Sequence, residues 1–344
     1  MADFFDTIIR ASRLIRKRRP LSAARLLQKN LPSSPRKTSK TAGKNSASPG
    51  SKTSAKPLPR PAPGSFLNEE FRCRFGSLPY RLYTPKGSTL RRMPLIVMLH
   101  GCSQTASDFA IGTGMNGLAD ELGFLVLYPQ QSTGANFARC WNWHNPDNQV
   151  RGRGEPALIA ALTRHVAKLG RANPGRIYIA GLSAGGAAAS IIGAAYPDLY
   201  VAIGVHSGVP RGNIRSLSAA IAAMRGRHES GSSERLPRQL PTIVFHGDKD
   251  RVVHPSNADG FLRNIERSGA GPLIARSHSG TAAGGRAYTR RVYGNLRGET
   301  LLEDWSVHGS GHGWSGGHAG GTHTDPAGPS ASREMVRFFL SHRR

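Results

Sequence analysis

Five short apolar runs punctuate the chain, each stopped by Gly, Pro or polar residues: PLIVMLH (94–100), FLVLYP (124–129), RIYIAGL (176–182), VAIGVHSG (201–208) and PTIVFHG (241–247). Runs this short, without polar alternation, predict strands buried on both faces. The stretches Met115–Leu122, Glu155–Leu169, Ala184–Tyr196 and Asn257–Ser268 between and after them read as helices. Buried strands alternating with helices predict an α/β fold, a mostly parallel central sheet covered on both faces. RAYTRRVY (286–293) and LLEDWSVH (301–308) nearly alternate and suit a late strand pair, and Ser332–Ser341 reads as a closing helix. The stretch 211–240, rich in Arg, Ser and Gly, looks like an excursion between core elements. No internal repeat is visible, and no apolar run approaches the ~18–20 residues of a membrane span.

This pattern starts only near Phe66. Residues 1–30 read as a basic amphipathic helix, with Phe4, Ile8, Leu14, Leu21 and Leu26 among six arginines and lysines from Arg10 to Arg19. The segment lacks the apolar core of a secretory signal, and Asp3 and Asp6 precede its basic cluster. Residues 31–65 collapse to Pro, Ser, Lys, Thr, Ala and Gly, the composition of a disordered linker. The expected organisation is therefore 1–30 helical, 31–65 linker and 66–344 one folded domain.

Charge sharpens that division. Of a net +26, residues 1–65 carry 15 Lys/Arg against 2 Asp/Glu, and the remaining 279 carry 32 against 19. A tail this basic either binds an anionic surface, such as a granule or membrane, or is simply a solvated extension. Nucleic acid is not the expected partner.

The chemistry sits in the larger part. Gly181-Leu182-Ser183-Ala184-Gly185 is a G-x-S-x-G pentapeptide, weak alone but placed directly between a predicted strand and a small-residue helix. That is the context of a nucleophile elbow, in which Ser183 takes a strained turn. A Gly-rich nucleotide-binding turn is the competing reading, but neither GxGxxG with a following acid nor a P-loop lysine is present. The amide of Ala184, at the helix start, is one expected oxyanion donor, and the amide of Cys102, after the His100-Gly101 turn, is the other. His100 itself is expected to hold that turn.

Downstream, PTIVFHGDKDRVV delivers Asp248 and Asp250 after a strand. Asp250 lies further into the loop and is the expected triad acid, with Asp248 solvated or capping a turn. The Gly-rich segment after 305 holds His308, His312, His318 and His323. Their spacing in a loop, without Cys or HExxH, does not suggest a metal. His312, flanked by glycines and followed by Trp314, is the expected base. His308 is expected at a strand end and His318 and His323 at the surface. Cys73, Cys102 and Cys140 are too few for a disulfide scaffold, although one bridge is possible.

The set LHGCSQTASDFA, CWNW, GEPALIAAL, YIAGLSAGGA, VHSGVP, HGDKDRVVHP and GSGHGWSGG resembles the polyhydroxybutyrate depolymerase esterases, relatives of feruloyl and acetylxylan esterases, from about Phe66 to Arg344. The resemblance implies an α/β-hydrolase fold and serine esterase activity without a cofactor or metal, with Ser183, Asp250 and His312 as triad and Cys102 at an oxyanion position. It implies a Cys102–Cys140 disulfide, leaving Cys73 free, and an acyl-binding cleft lined by Trp141, Trp143 and Trp314, although each tryptophan would serve equally in core packing. Short-chain hydroxyalkanoate esters are the expected substrates, with feruloyl or acetylxylan esters as the alternative. A third possibility is a granule- or membrane-coating protein with a secondary esterase site. Two departures stand out: His144 follows CWNW where an aromatic is common, and no signal peptide or polymer-binding domain is visible. The resemblance implies an extracellular location, and the lack of a visible signal makes a cytoplasmic or granule-associated one the alternative.

Overall fold

The computed structural model describes residues 62, 64–87, 92–212, 214, 216–227 and 239–344. The helix expected over 1–30 and nearly all of the 31–65 linker lie outside the described residues. Gly64 donates its amide to Thr84 O and Thr84 donates to Ser65 O, pairing the segment just before Phe66 with the chain after Tyr83.

A ten-stranded sheet runs through this unit in the order β1-β2-β4-β3-β5-β6-β7-β10-β9-β8. Its strands are β1 (Phe66–Cys73), β2 (Gly76–Tyr83), β3 (Leu95–Leu99), β4 (Leu125–Pro129), β5 (Ile177–Leu182), β6 (Ala202–His206), β7 (Thr242–Gly247), β8 (Ile274–Thr281), β9 (Ala287–Gly294) and β10 (Thr300–Val307). The middle six, β4-β3-β5-β6-β7-β10, are parallel. Antiparallel hairpins extend both edges, β1–β2 at one and β9–β8 beyond β10 at the other.

The five apolar runs become β3 to β7, and every residue of these strands is buried. Because side chains alternate across a strand, each run feeds two cores. Leu95, Val97, Ile179, Val205 and Val244 face one side, with α3 (Gly154–Leu169), α4 (Ala184–Ala195) and α6 (Asn257–Arg267) over them. Ile96, Met98, Tyr178, Leu182 and Phe245 face the other, beneath α1 (Ala106–Thr113), α2 (Met115–Leu122) and α7 (Ala331–Ser341). The expected fold class is what forms. Within the 211–240 excursion, α5 (Leu217–Met224) folds over a third apolar cluster, with Trp143, Ala184, Ala187, Val209 and Val253.

The hydrophobic pattern does not announce the β1–β2 hairpin, α1, α5 or β8. In β8, seven of eight residues are exposed, so no burial pattern marks IARSHSGT as a strand. Among the described residues, no helix is long and apolar enough to cross a membrane.

Candidate active site

The parallel strands all end at one edge, where an open α/β sheet gathers its site-forming loops. At that edge β5 turns abruptly into α4. Ser183 makes the turn with φ 56° and ψ −118°, a conformation few L-residues adopt and one associated with functional sites. Glycine is needed on both sides because the turn is crowded by backbone. A Cβ at Gly181 would run into Gly185 and Leu99 O, and a Cβ at Gly185 into the carbonyl oxygens of Leu99 and His100. The turn is pinned by Ser183 N donating to His206 O (2.9 Å) and by Ala187 N donating to Ser183 O (2.9 Å). The Ser183 hydroxyl does not cap α4, whose first-turn amides, Ala184 among them, point out of the helix without intrahelical acceptors.

The turn after β3 carries Cys102. His100 is fully buried and neutral: burial drops its pKa to about 4. Its Nε2 accepts from Gln131 N (3.1 Å), so Nδ1 carries the proton and donates to Gly101 O (2.8 Å). His100 therefore braces the turn, as expected of it. Cys102 is disulfide-bonded to Cys140, and Cys73 is a free thiol. Behind this bridge sits Glu155, which accepts from Gln131 Nε2 (2.5 Å) and from the amide (2.9 Å) and side chain (2.8 Å) of Asn142.

The loop after β7 separates the two aspartates. Asp248 turns outward, accepting from Gly309 N (2.8 Å) and pairing with exposed His308 (3.1 Å). Asp250 turns inward and its side chain is 0% exposed. Its Oδ1 accepts from Val252 N (2.8 Å) and Val253 N (2.9 Å), and its Oδ2 meets His312 Nδ1 at 2.7 Å. Burial alone would raise the carboxyl pKa, but hydrogen bonds from His246 and His312 outweigh it and hold the group well below the usual carboxylate range.

The segment bearing His312 rests on His206. The His206 ring accepts from Ser315 N (2.9 Å), stacks on Trp314 and Phe245, and is held neutral chiefly by burial, with a pKa of about 3. One residue thus anchors the Ser183 turn through its carbonyl and the His312 segment through its ring. Ser310 Oγ donates to Asp325 Oδ2 (2.5 Å), fixing the same segment from the other side. Among the described residues no hydrogen bond joins Ser183 to His312.

The three tryptophans separate. Trp141 is 1% exposed and donates Nε1 to His100 O (3.1 Å), and Trp314 is 1% exposed and donates Nε1 to Ser332 Oγ (2.9 Å). Both side chains are buried in the core, the alternative to lining a cleft. Trp143 is buried too, in a different apolar cluster, with Ala184, Val253 and the Cys102–Cys140 bridge. His323, expected at the surface, is half-buried instead, with φ 54° and its Nε2 3.4 Å from Ser103 Oγ beside Cys102. His206 and His246 were missed. Their only sequence signal is a histidine closing a buried strand just before a small residue. Among the described residues no His, Cys, Asp or Glu group is arranged to hold a metal ion.

A buried carboxylate holding an imidazole, on a segment that His206 ties to a strained serine at a helix start, is an arrangement suited to nucleophilic acyl transfer. Poly(3-hydroxyalkanoate) depolymerase C of Paucimonas lemoignei is 29% identical over 249 residues, covering 69% of this chain and 59% of that protein. The chain thus spans less than two thirds of that relative's length. Feruloyl esterase B of Neurospora crassa is 29% identical over 236 residues, 62% of this chain and 78% of the relative. The structure superposes on an acetyl xylan esterase from Aspergillus awamori with a TM-score of 0.60 at 17% identity, covering 80% of this chain and 99% of that one, a likeness of fold. The profile of the Esterase PHB depolymerase family matches residues 78–270, which include Cys102, Ser183 and Asp250. With more than half its length in that match, the chain belongs to the Esterase PHB depolymerase family.

Proposed function

We propose that the protein is a serine esterase that hydrolyses carboxylic esters through an acyl-enzyme. The observation that carries this reading is the strained Ser183 turn at the start of α4, tied through His206 to the segment that carries the Asp250-held His312. His312 Nε2 takes the proton of Ser183 Oγ as the oxygen attacks the ester carbonyl. Asp250 fixes the Nδ1–H tautomer and stabilises the imidazolium. Charge developing on the carbonyl oxygen is met by the amides of Cys102 and Ala184, the latter helped by the helix start. His312 then protonates the departing alcohol. A water activated by the same imidazole cleaves the acyl-enzyme and frees the acid. No cofactor enters any step.

Within the ester class, short-chain hydroxyalkanoate esters, such as 3-hydroxybutyrate oligomers, are the favoured substrates, because the apolar cluster around Trp143 beside Ala184 suits a compact aliphatic acyl group. The feruloyl esterase relative, of which this chain covers 78%, favours an aromatic acyl group as the second reading. Initial rates on 3-hydroxybutyrate trimer, p-nitrophenyl butyrate, methyl ferulate and acetylated xylan discriminate them. Highest kcat/KM on the hydroxybutyrate trimer is expected, and a preference for ferulate or acetylxylan would replace that assignment. Residues 1–65 are proposed to hold an anionic surface, and a variant lacking them is expected to lose vesicle or granule association while keeping hydrolysis.

A further inference from the structure

Asp250 is held by more than its partner His312. His246, the penultimate residue of β7, lies on the Val244 face of the strand, and its side chain is 2% exposed. Its Nε2 is 2.9 Å from Val253 O and 3.5 Å from Asp250 Oδ2. Both neighbours are acceptors, so Nε2 carries a hydrogen. Its Nδ1 is buried without a partner among the described residues. Val253 in turn donates its amide to Asp250 Oδ1. Carboxylate, backbone and imidazole therefore close a ring, with one Asp250 oxygen fixed by two amides and the other lying between two imidazoles.

On the reading of Asp250 as triad acid, we infer that His246 is a positioning residue for the reaction. Its Nε2–H, bonded to Val253 O and held 3.5 Å from Asp250 Oδ2, sets the orientation and the charge with which Asp250 meets His312. A purely structural histidine would need only the Val253 bond. A polar hydrogen this close to Oδ2 draws off part of the negative charge that would otherwise act on His312 alone. Removing it frees the carboxylate to rotate, which lowers the rate, and leaves more charge on the His312 side, which makes that imidazole more basic. The other ionisable groups around His246 do not substitute for it. His206, from β6, uses its ring on Ser207 and Ser315; Asp304, from β10, pairs with Arg291 (3.2 Å); and Asp259, from α6, acts on Asp304.

The test compares His246→Leu, which deletes the donor, with His246→Gln, which offers an amide N–H at similar reach. The intact protein is assayed on p-nitrophenyl butyrate across pH, with circular dichroism reporting the fold. His246→Leu is expected to lower kcat about tenfold with KM within about twofold, a loss confined to the chemical step. The acidic limb of its kcat/KM profile moves to higher pH, and His246→Gln recovers most of the rate and returns the limb. A folded His246→Leu protein with unchanged kcat and unchanged limb overturns the inference, as do equal losses in both variants with no movement of the limb. If the leucine variant does not fold, His246→Asn, whose amide is too short to reach, is compared with His246→Gln, and identical pH profiles overturn it. Asp250→Asn runs in parallel. Full activity there removes the underlying triad reading, whereas an inactive Asp250→Asn beside unaffected His246 variants removes only this inference.

Discussion

Replacing both Cys102 and Cys140 with alanine separates what the disulfide does for stability from what it does for catalysis. The bridged residues are 38 apart in sequence, and chain-entropy reasoning assigns closure of such a loop about 4 kcal/mol of stabilisation, exerted on the unfolded state. In the folded state the same segments are tied three further ways. Ser103 N donates to Ala138 O (2.6 Å), Trp141 Nε1 to His100 O (3.1 Å) and Gln131 N to His100 Nε2 (3.1 Å). These bonds hold the Cys102 amide in place without the sulfurs. The double variant is therefore expected to lose about 3–4 kcal/mol of stability, which in a domain of this size lowers Tm by roughly 6–16 °C. At room temperature its kcat on p-nitrophenyl butyrate changes by less than about threefold, because transition-state contacts persist. Calorimetry and steady-state kinetics on one preparation read both quantities. A Tm within a degree of the parent, or a folded variant whose kcat collapses a hundredfold, would refute the reasoning.

Other outcomes follow from the same geometry. Asp250→Asn should cut kcat by roughly a thousandfold or more through loss of the Nδ1–H tautomer, whereas Asp248→Asn, which loses only exposed contacts to His308 and Gly309, should stay within about threefold; the reverse ranking in a side-by-side assay sinks the choice of acid. Asp250 is depressed in the folded state, so its stabilisation is present above the ordinary carboxylate pKa of about 4 and fades as pH falls through the folded value. Tm measured across acid pH should consequently fall more steeply in the parent than in Asp250→Asn, and parallel curves would contradict this. Gly185→Ala should fail to accumulate as folded protein, since the added methyl meets the Leu99 and His100 carbonyls, and a soluble variant of unchanged Tm would show that the turn has room. Trp143→Ala is expected to raise KM for butyryl esters, whereas Trp314→Ala, removing a core side chain, should lower Tm by several degrees, about 3–5 kcal/mol in stability.

Much of this was legible in the sequence where burial left a pattern. Strands sealed on both faces, such as LIVML and IYIAGL, announce themselves, and the glycines around Ser183 announce a turn that tolerates no side chain. Asp250 could be ranked above Asp248 by its reach into the loop, but the backbone amides that fix it inward are visible only in the fold. The β8 strand was illegible because pairing with β9 rather than burial defines it. The resemblance left Trp141 and Trp314 equally suited to a cleft or to the core, and only the fold shows their indole N–H groups meeting acceptors inside the core. His206 and His246 were passed over because a histidine ending a strand has no distinguishing spacing. Their importance comes from neighbours supplied by distant loops.

The central claim is that Ser183 is an acyl-forming nucleophile, and covalent trapping tests it most directly. Intact mass after exposure to a fluorophosphonate, followed by peptide mapping, should show one adduct on the peptide carrying Ser183, formed in step with loss of esterase activity and absent from Ser183→Ala. An adduct mapped to another residue, or a Ser183→Ala protein that still hydrolyses p-nitrophenyl butyrate, would contradict the account.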